Sequence, residues 1–582
     1  MTALPAHPIL SCDEARAFEA RLFGGDETRE WPAMQRAGRA LAAAVLDDFR
    51  EIGGFSAAGR VLVLVGKGHN GGDALIAAQA VLEQYPQASA DVLFVFGEHA
   101  LRPLAQRAWQ ELLQAAPQRV AARRIDPVAT SVSEKNAASV ATSVSEWNSA
   151  YDLCLDGVFG FQFRPPLDER AGVVLRWANA RPVRLRAAVD LPSGLDAADA
   201  FRADFTYATG VMKTPALACP NAGRLRYLDL GFFGVGRDRR IPPESSATVS
   251  GDAALQDGWP GPRSYVLDRS SSDMGGTPMP RGTGVPPVGP SDSVAKQETV
   301  WPGHADFVLL PSVLSPLSAF RSPLSDKRAY GHLFVLGGSR NYPGAVLMAV
   351  LAALRSGAGL VTAFVPESLA AAFAARAPEA MWIGWPETTE GGLALAGHYL
   401  MRERLGRATA LAIGPGLGRE PETLALVRDI VANAPVPVVL DADALQPDIV
   451  RAGAAPRVLT PHAGEFARMA GAAPLREFCG ETGATVVLKG PVTRIGTAET
   501  VYHSCCGGPV LARGGSGDLL AGLIGGLLAQ KPAEPLPAAA QGVVWHGLAA
   551  DALARAKGQV AVQTTQVLDY LSAALRACHH DD

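Results

Sequence analysis

Residues 61–73 read VLVLVGKGHNGGD. Five apolar β-formers, Val61 to Val65, run unbroken into a glycine turn, and a helical pattern follows from Asp73 to about Tyr85. An uninterrupted apolar run suits a strand buried on both faces of a parallel sheet. Gly66, Gly68 and Gly71 fit the spacing G-x-G-x-x-G between that strand and that helix, which leaves amides at a helix N-terminus open to a phosphate. The spacing alone fits a ligand-free tight turn as well. Glu98, just beyond a second strand at 92–96, is placed to be the ribose-binding acid of a dinucleotide site, so a nicotinamide-dependent dehydrogenase is one reading.

The alternation continues along the chain. Strands are expected at 152–155, 185–189 and 226–230, then at 332–336, 360–365, 409–413, 436–440, 457–460 and 485–488, with a helix at 345–356. Short apolar strands alternating with helices make mostly parallel sheets, whose ligands bind beyond the carboxyl ends of the strands. Two stretches break the pattern. VATSVSEK (128–135) returns as VATSVSEW (140–147), so 128–150 reads as a low-complexity surface insertion. The Pro/Gly/Ser-rich segment 236–302 reads as a flexible linker. The chain divides into 1–235, this linker, and 303–582, and the halves are expected to fold separately.

Composition narrows the function. A net charge of −4 over 582 residues gives no basic surface for nucleic acid. The apolar runs near 345–354 and 519–529 are too short to span a bilayer and suit buried helices, so no membrane is expected. The seven cysteines form no CxxC pair and no zinc-ligand spacing, as in the reduced thiols of a cytoplasmic protein.

Three strand ends of the first half carry oxygen donors. Asn70 and Asp73 follow the first glycine turn, Asp156 opens DGVFGFQFR, and Asp190 and Ser193 open DLPSGLD. Asn70, Asp156 and Ser193 are hard donors, one per loop, and could converge on a cation. Each is also a common capping residue, though three in matching loops favour the ion. In the second half, a series of loop motifs, several of them glycine-rich, follows the strands. They are GGSRNYPGA (337–345), GPGLG (414–418), DADAL (441–445), TPHAGE (460–465), LKGPVT (488–493) and RGGSGD (513–518). The last opens the apolar helix from Leu519, so free amides there can hold negative charge on a phosphoryl group. Asp518, on the first turn, is placed to take a proton from a substrate hydroxyl. A lone His462 is either a structural hydrogen-bonder or a catalyst. No GxxxxGK[ST] occurs, which excludes a P-loop enzyme.

GKGHNGGD, DGVFGFQFR and DLPSGLD, with MQRAG (34–38) upstream, together resemble the NAD(P)H-hydrate epimerase family. The ordered turns of the second half resemble the ADP-dependent NAD(P)H-hydrate dehydratase family, a branch of the ribokinase-like fold. The fold implied is α/β, a Rossmann-like three-layer sandwich followed by a ribokinase-like α/β domain. The resemblance implies potassium at Asn70, Asp156 and Ser193. It places the hydrated nicotinamide nucleotide, NAD(P)HX, against His69, Asn70, Gly71, Gly72, Asp73, Gly160, Phe161, Gln162, Phe163, Arg164 and Asp190, with Asp190 transferring protons. Lys213 is either a phosphate partner or a solvated surface residue. In the second half the resemblance implies that Ala345, Gly416, Gly418, His462 and Asp518 touch the substrate. It gives Lys489, Gly490, Pro491, Val492, Thr493 and Gly517 to ADP, which brings magnesium. A homo-oligomer is expected. The alternative is an ATP-dependent small-molecule kinase of ribokinase-like fold fused to a non-catalytic nucleotide-binding domain.

Overall fold

In the computed structural model, which describes residues 4–123, 150–234, 304–322 and 324–578, β1 (Ala6–Pro8) precedes the helices Cys12–Phe23 and Glu27–Phe49. Strands β2 (Arg60–Val65), β3 (Ser89–Phe94), β4 (Val120–Arg123), β5 (Tyr151–Gly157), β6 (Val183–Val189), β7 (Phe205–Thr209) and β8 (Arg224–Leu228) then form an all-parallel sheet in the order β4-β3-β2-β5-β6-β7-β8. Val61–Val65 is buried throughout because helices cover both faces. One face packs on Glu27–Phe49, His69–Gln84 and Pro103–Ala115, and the other on Glu169–Asn179. The helix after β2 starts at His69, not Asp73, because Gly68 caps it and His69–Gly72 has no apolar period to betray the first turn. The repeat insertion, apart from Ala150, and the linker 236–302 lie outside the described residues.

The second sheet has eleven strands. They are β9 (Asp306–Leu309), β10 (His332–Leu336), β11 (Leu360–Pro366), β12 (Met381–Trp385), β13 (Ala410–Ile413), β14 (Val438–Leu440), β15 (Arg457–Leu459), β16 (Thr485–Leu488), β17 (Thr493–Gly496), β18 (Val501–Ser504) and β1. Strands β10 to β16 run parallel, and β16, β17 and β18 turn back on one another antiparallel. The apolar helix Ser516–Gln530 lies in the interior, as its composition requires. It crosses Pro343–Arg355 very closely. A β-carbon on Gly522 would lie 2.0 Å from the Ala349 carbonyl oxygen, and one on Gly526 would lie 1.9 Å from Ser356 Oγ. Glycine four residues apart lets the two helix backbones touch. Among the described residues no helix is long and apolar enough to cross a membrane.

The two halves, expected to fold separately, are in extensive contact. β1 leaves the first half and pairs antiparallel with β9 at the edge of the second sheet. Residues of both halves form one compact unit. Their junction buries charge: Arg226 pairs with Asp48 at 2.8 Å on its own side and with Asp551 at 3.0 Å on the other. Arg224 pairs with Glu51 at 2.7 Å and also holds Asp551. None of this is local in sequence, and a three-residue strand carries no periodicity.

Gly522→Ala should lower stability by about 1–3 kcal/mol, the usual cost of overpacking a filled core. Gly406→Ala, where an added β-carbon meets nothing within 4 Å, should be near neutral. Denaturant melts of both variants check this.

Candidate functional site

The strands of the first sheet end together, and a cavity of about 680 Å³ opens there. Its floor comes from the turns after β2, β5 and β6, and its roof from the N-terminal helices. His69, Asn70 and Asp73 line it, as do Gly160, Phe161, Gln162, Phe163 and Arg164, and so do Asp190 and Lys213. Gly71 and Gly72 are not part of the lining. Gly72 lets Met34 approach, since a β-carbon there would lie 2.6 Å from its sulfur, and Gly71 packs under Gly66.

Asp190 sits in the left-handed region at φ 68, a conformation that costs a non-glycine residue energy and often marks a functional position. Its Oδ1 accepts from the Lys213 ammonium, and its Oδ2 is buried without a partner. Lys213 is only 1% exposed and lies over the Phe161 ring, so it is neither a surface residue nor free for phosphate. Burial raises Asp73 well above the usual carboxylate range, and the neighbouring Asp190 and Glu19 add to the rise.

Asp156 lies beneath this floor, fully buried. Its Oδ2 accepts from the Ser193 amide at 2.8 Å and its Oδ1 from Ser193 Oγ at 2.7 Å. Ser193 Oγ also accepts from the Phe159 amide at 2.8 Å. Asn70 donates to the Val189 carbonyl at 2.9 Å, and its side-chain oxygen faces Gly160, where a β-carbon would lie 2.4 Å away. Burial pushes Asp156 up to about 6 against the hydrogen bonds from Ser193 and Val158, with no cationic side chain offsetting it. A buried carboxylate without a counter-charge is costly when ionised. A carboxylate, a hydroxyl and an amide oxygen are the donor types a monovalent cation takes.

Glu98 does not reach the cavity. It accepts from the Trp109 indole at 2.9 Å, which removes the ribose acid of the dehydrogenase reading. Glu19, half-buried on the helix Cys12–Phe23, does line the cavity and was not among the residues expected. Nothing local in the sequence marks it, because the fold brings it there.

The loops of the second half also converge at strand ends. Ser339 Oγ donates to the Gly416 carbonyl at 2.8 Å, and a β-carbon on Gly416 would lie 3.1 Å from Ala345. The Gly418 amide donates to Asp443 at 3.1 Å. Lys489 Nζ donates to Asp441 Oδ1 at 3.0 Å, and Thr460 donates to the same oxygen at 2.7 Å. A β-carbon on Gly517 would lie 3.2 Å from Lys489 Nζ, so this pair flanks the helix N-terminus that carries Asp518. Burial pushes Asp518 up to about 6, helped by Asp441, Asp443 and Glu465 and opposed by Lys489. His462 caps the helix Ala463–Ala470: its Nδ1 accepts from the Gly464 and Glu465 amides at 3.0 and 3.2 Å. That answers the structural half of the question about His462 and leaves its Nε2 edge facing outward beside Glu465. Lys489 is fixed by Asp441, a partner that DADAL offered but that no spacing linked to LKG.

Comparison with known proteins gives two family models in chain order. Residues 32–215 match the YjeF-related protein N-terminus, and residues 333–573 match NAD(P)H-hydrate dehydratase. A bifunctional NAD(P)H-hydrate repair enzyme of Gloeobacter violaceus is 32% identical over 575 residues, covering 95% of each chain. One from Moorella thermoacetica is 30% identical over 543 residues, 89% of this chain and 87% of that one. Among solved structures, the ADP/ATP-dependent NAD(P)H-hydrate dehydratase of Bacillus subtilis is 29% identical, with a TM-score of 0.39, over 45% of this chain and 94% of its own. With both domain models matched in order and a relative aligned along nearly its whole length, the chain belongs to the family of bifunctional NAD(P)H-hydrate repair enzymes.

Proposed function

We propose that residues 1–235 interconvert the R and S epimers of hydrated NADH and NADPH, and that 303–582 dehydrate the S epimer, converting ADP to AMP and phosphate. The observation that carries this reading is that one chain holds two sites of different chemistry. One is a cavity at the strand ends with an Asp190–Lys213 pair on its floor. The other is a helix N-terminus bearing Asp518 beside Lys489 and Asp441.

In the first site, Asp190 moves protons at the hydrated carbon through its unpartnered Oδ2, while Lys213 holds Oδ1 and fixes the carboxylate plane. His69–Asp73 and Gly160–Arg164 contact the nucleotide. Asn70, Asp156 and Ser193 hold potassium, whose charge when bound offsets that of Asp156.

In the second site, Ala345, Gly416, Gly418 and His462 position the hydrated ring. Asp518 takes the proton of its hydroxyl, and the oxygen attacks the β-phosphorus of ADP. AMP leaves, and the phosphate is then eliminated to restore the dihydronicotinamide. Lys489 to Thr493 and Gly517 hold the nucleotide, and the amides of the helix start receive the developing negative charge. Among the described residues no cluster of three or more His, Cys, Asp or Glu suits a resident metal. Magnesium would come with the nucleotide and supply charge neutralisation at the phosphates, with Asp441 and Asp443 close to Asp518.

Asp518→Asn should abolish dehydration and leave epimerisation near wild type. As a base, Asp518 must be ionised, so wild-type dehydration should fall as pH drops through about 6 and level off above it. Absorbance of restored NADH from mixed hydrates plus ADP, followed across pH, measures both effects. A kinase would instead accumulate a phosphorylated product and release no phosphate.

Asp156→Ala removes the only anionic donor of its set. Epimerisation by wild type should require potassium, and this variant should need far more of it. Asp190→Asn should lose turnover that no potassium concentration restores. Titration of potassium against epimerisation rate separates the two, and equal responses would remove the assignment.

A further inference from the structure

Inversion at the hydrated carbon has a requirement that one carboxylate does not meet. The C6–O bond breaks on one face of the ring and a new C6–O bond forms on the other. The ring nitrogen lone pair expels the hydroxyl, which leaves as water once an acid has protonated it, and the ring is left as a cation with an N1=C6 double bond. A second water adds to the opposite face, and a base takes its proton. One water leaves and one enters, one proton is given and one is taken, and no electron changes hands. Two proton-handling groups, one for each face, complete the cycle.

The floor of the cavity supplies Asp190, held by Lys213. Another part of the lining comes from the N-terminal helices. The helix Cys12–Phe23 turns Ala15 and Phe18 into the core and leaves Glu19 at the cavity. Apolar Ala20, Phe23, Met34 and Phe232 also line the cavity. Among the described residues no side chain or amide donates a hydrogen bond to the Glu19 carboxyl, and no cation pairs with it. Lys213, Asp190, Glu30 and Asp73 interact with it electrostatically, and Arg16, Lys67, Arg102, Arg164 and Asp168 line the same cavity. Glu30 faces His69 at 3.5 Å.

We propose that Glu19 is the second acid–base group of the first-half site, serving the face of the ring opposite Asp190. This rests on reading that cavity as the epimerase site. Three carboxyls, Asp73, Asp190 and Glu19, lie within electrostatic reach of one another and of Lys213, while Arg16, Lys67, Arg102 and Arg164 also line the cavity. Among the described residues Glu19 accepts no hydrogen bond that would hold it ionised. Burial pushes it up to about 7, with Asp190 and Glu30 adding to the rise and Lys213 opposing it. It therefore exchanges its proton near neutral pH, which suits a group that donates in one direction of the reaction and accepts in the other.

The test uses the full-length protein and purified R and S hydrates. Glu19→Gln keeps the shape and removes the exchangeable proton. Its epimerisation kcat should fall by about 10²–10⁴-fold with little change in KM. ADP-dependent dehydration of the S hydrate should stay at the wild-type rate, reporting an intact fold. In wild type, both directions use the Glu19 and Asp190 pair with one proton between them, so the two rates should fall together as pH rises through about 7, and the variant should lack that titration. Glu19→Asp, a shorter acid, should recover part of the rate. Wild-type epimerisation by Glu19→Gln, or a slow variant that keeps the titration near 7, overturns the role of Glu19 and leaves the epimerase reading standing. A wild-type protein that does not interconvert the hydrates overturns that reading, and the proposal with it.

Discussion

A lysine buried against an aspartate at the end of a parallel strand is the constraint around which each site is arranged. In the first half the pair is Lys213 with Asp190, and in the second it is Lys489 with Asp441. Neither ammonium would survive so deep without its carboxylate, because an unpaired buried charge costs several kcal/mol even after relaxation. The pair also fixes what surrounds it. Asp190 is held at a positive φ with one oxygen free, and Lys489 lies against the only kind of residue, Gly517, that leaves room for it at the helix start. The remaining acids are raised first by burial and then by the carboxylate of the pair. Asp73 and Glu19 are pushed up beside Asp190, and Asp518 is pushed up beside Asp441.

The same electrostatics bind the halves together. Asp551, on the helix Pro535–Lys557, is buried and receives both Arg224 and Arg226 from β8, while the Gly507 amide donates to it at 3.0 Å. Arg555, from the same helix, returns the favour by pairing with Asp48 at 3.1 Å. Removing one partner from such a network leaves the others buried and uncompensated, at a cost of about 3–5 kcal/mol.

How much of this was legible in the sequence follows from range. The unbroken run Val61–Val65 and the apolar helix from Leu519 announced themselves, because burial on all sides leaves no polar positions. The glycine turns and the acids Asp156, Asp190 and Asp518 were readable because each motif is complete within a few residues. Lys213 was misread because its partner lies 23 residues away, and an isolated lysine looks like any surface lysine. Glu98 was offered as a ribose acid on strand position alone, while the structure gives it to Trp109. Strands β1, β4, β17 and β18, three or four residues each, are too short for a period of two to register, and their pairing is decided by neighbours far along the chain.

The junction has an apolar side as well, and it reaches both sites. One cluster contains Ile9, Leu10 and Phe18 from the N-terminal segment, Phe161 from the cavity turn, and Val308 and Cys505 from the second half, with Val492 packed against it. Phe161 carries Lys213 over its ring, so it touches the charge pair of the first site. Val492 belongs to the loop assigned to the adenine nucleotide in the second. The helix Cys12–Phe23 contributes Phe18 to this cluster and Glu19 to the cavity from adjacent positions. β1, which precedes that helix, is anchored in the second sheet. The roof of the first cavity is thus held in place by the second half, and a packing change at either end of this cluster alters the placement of groups in both sites.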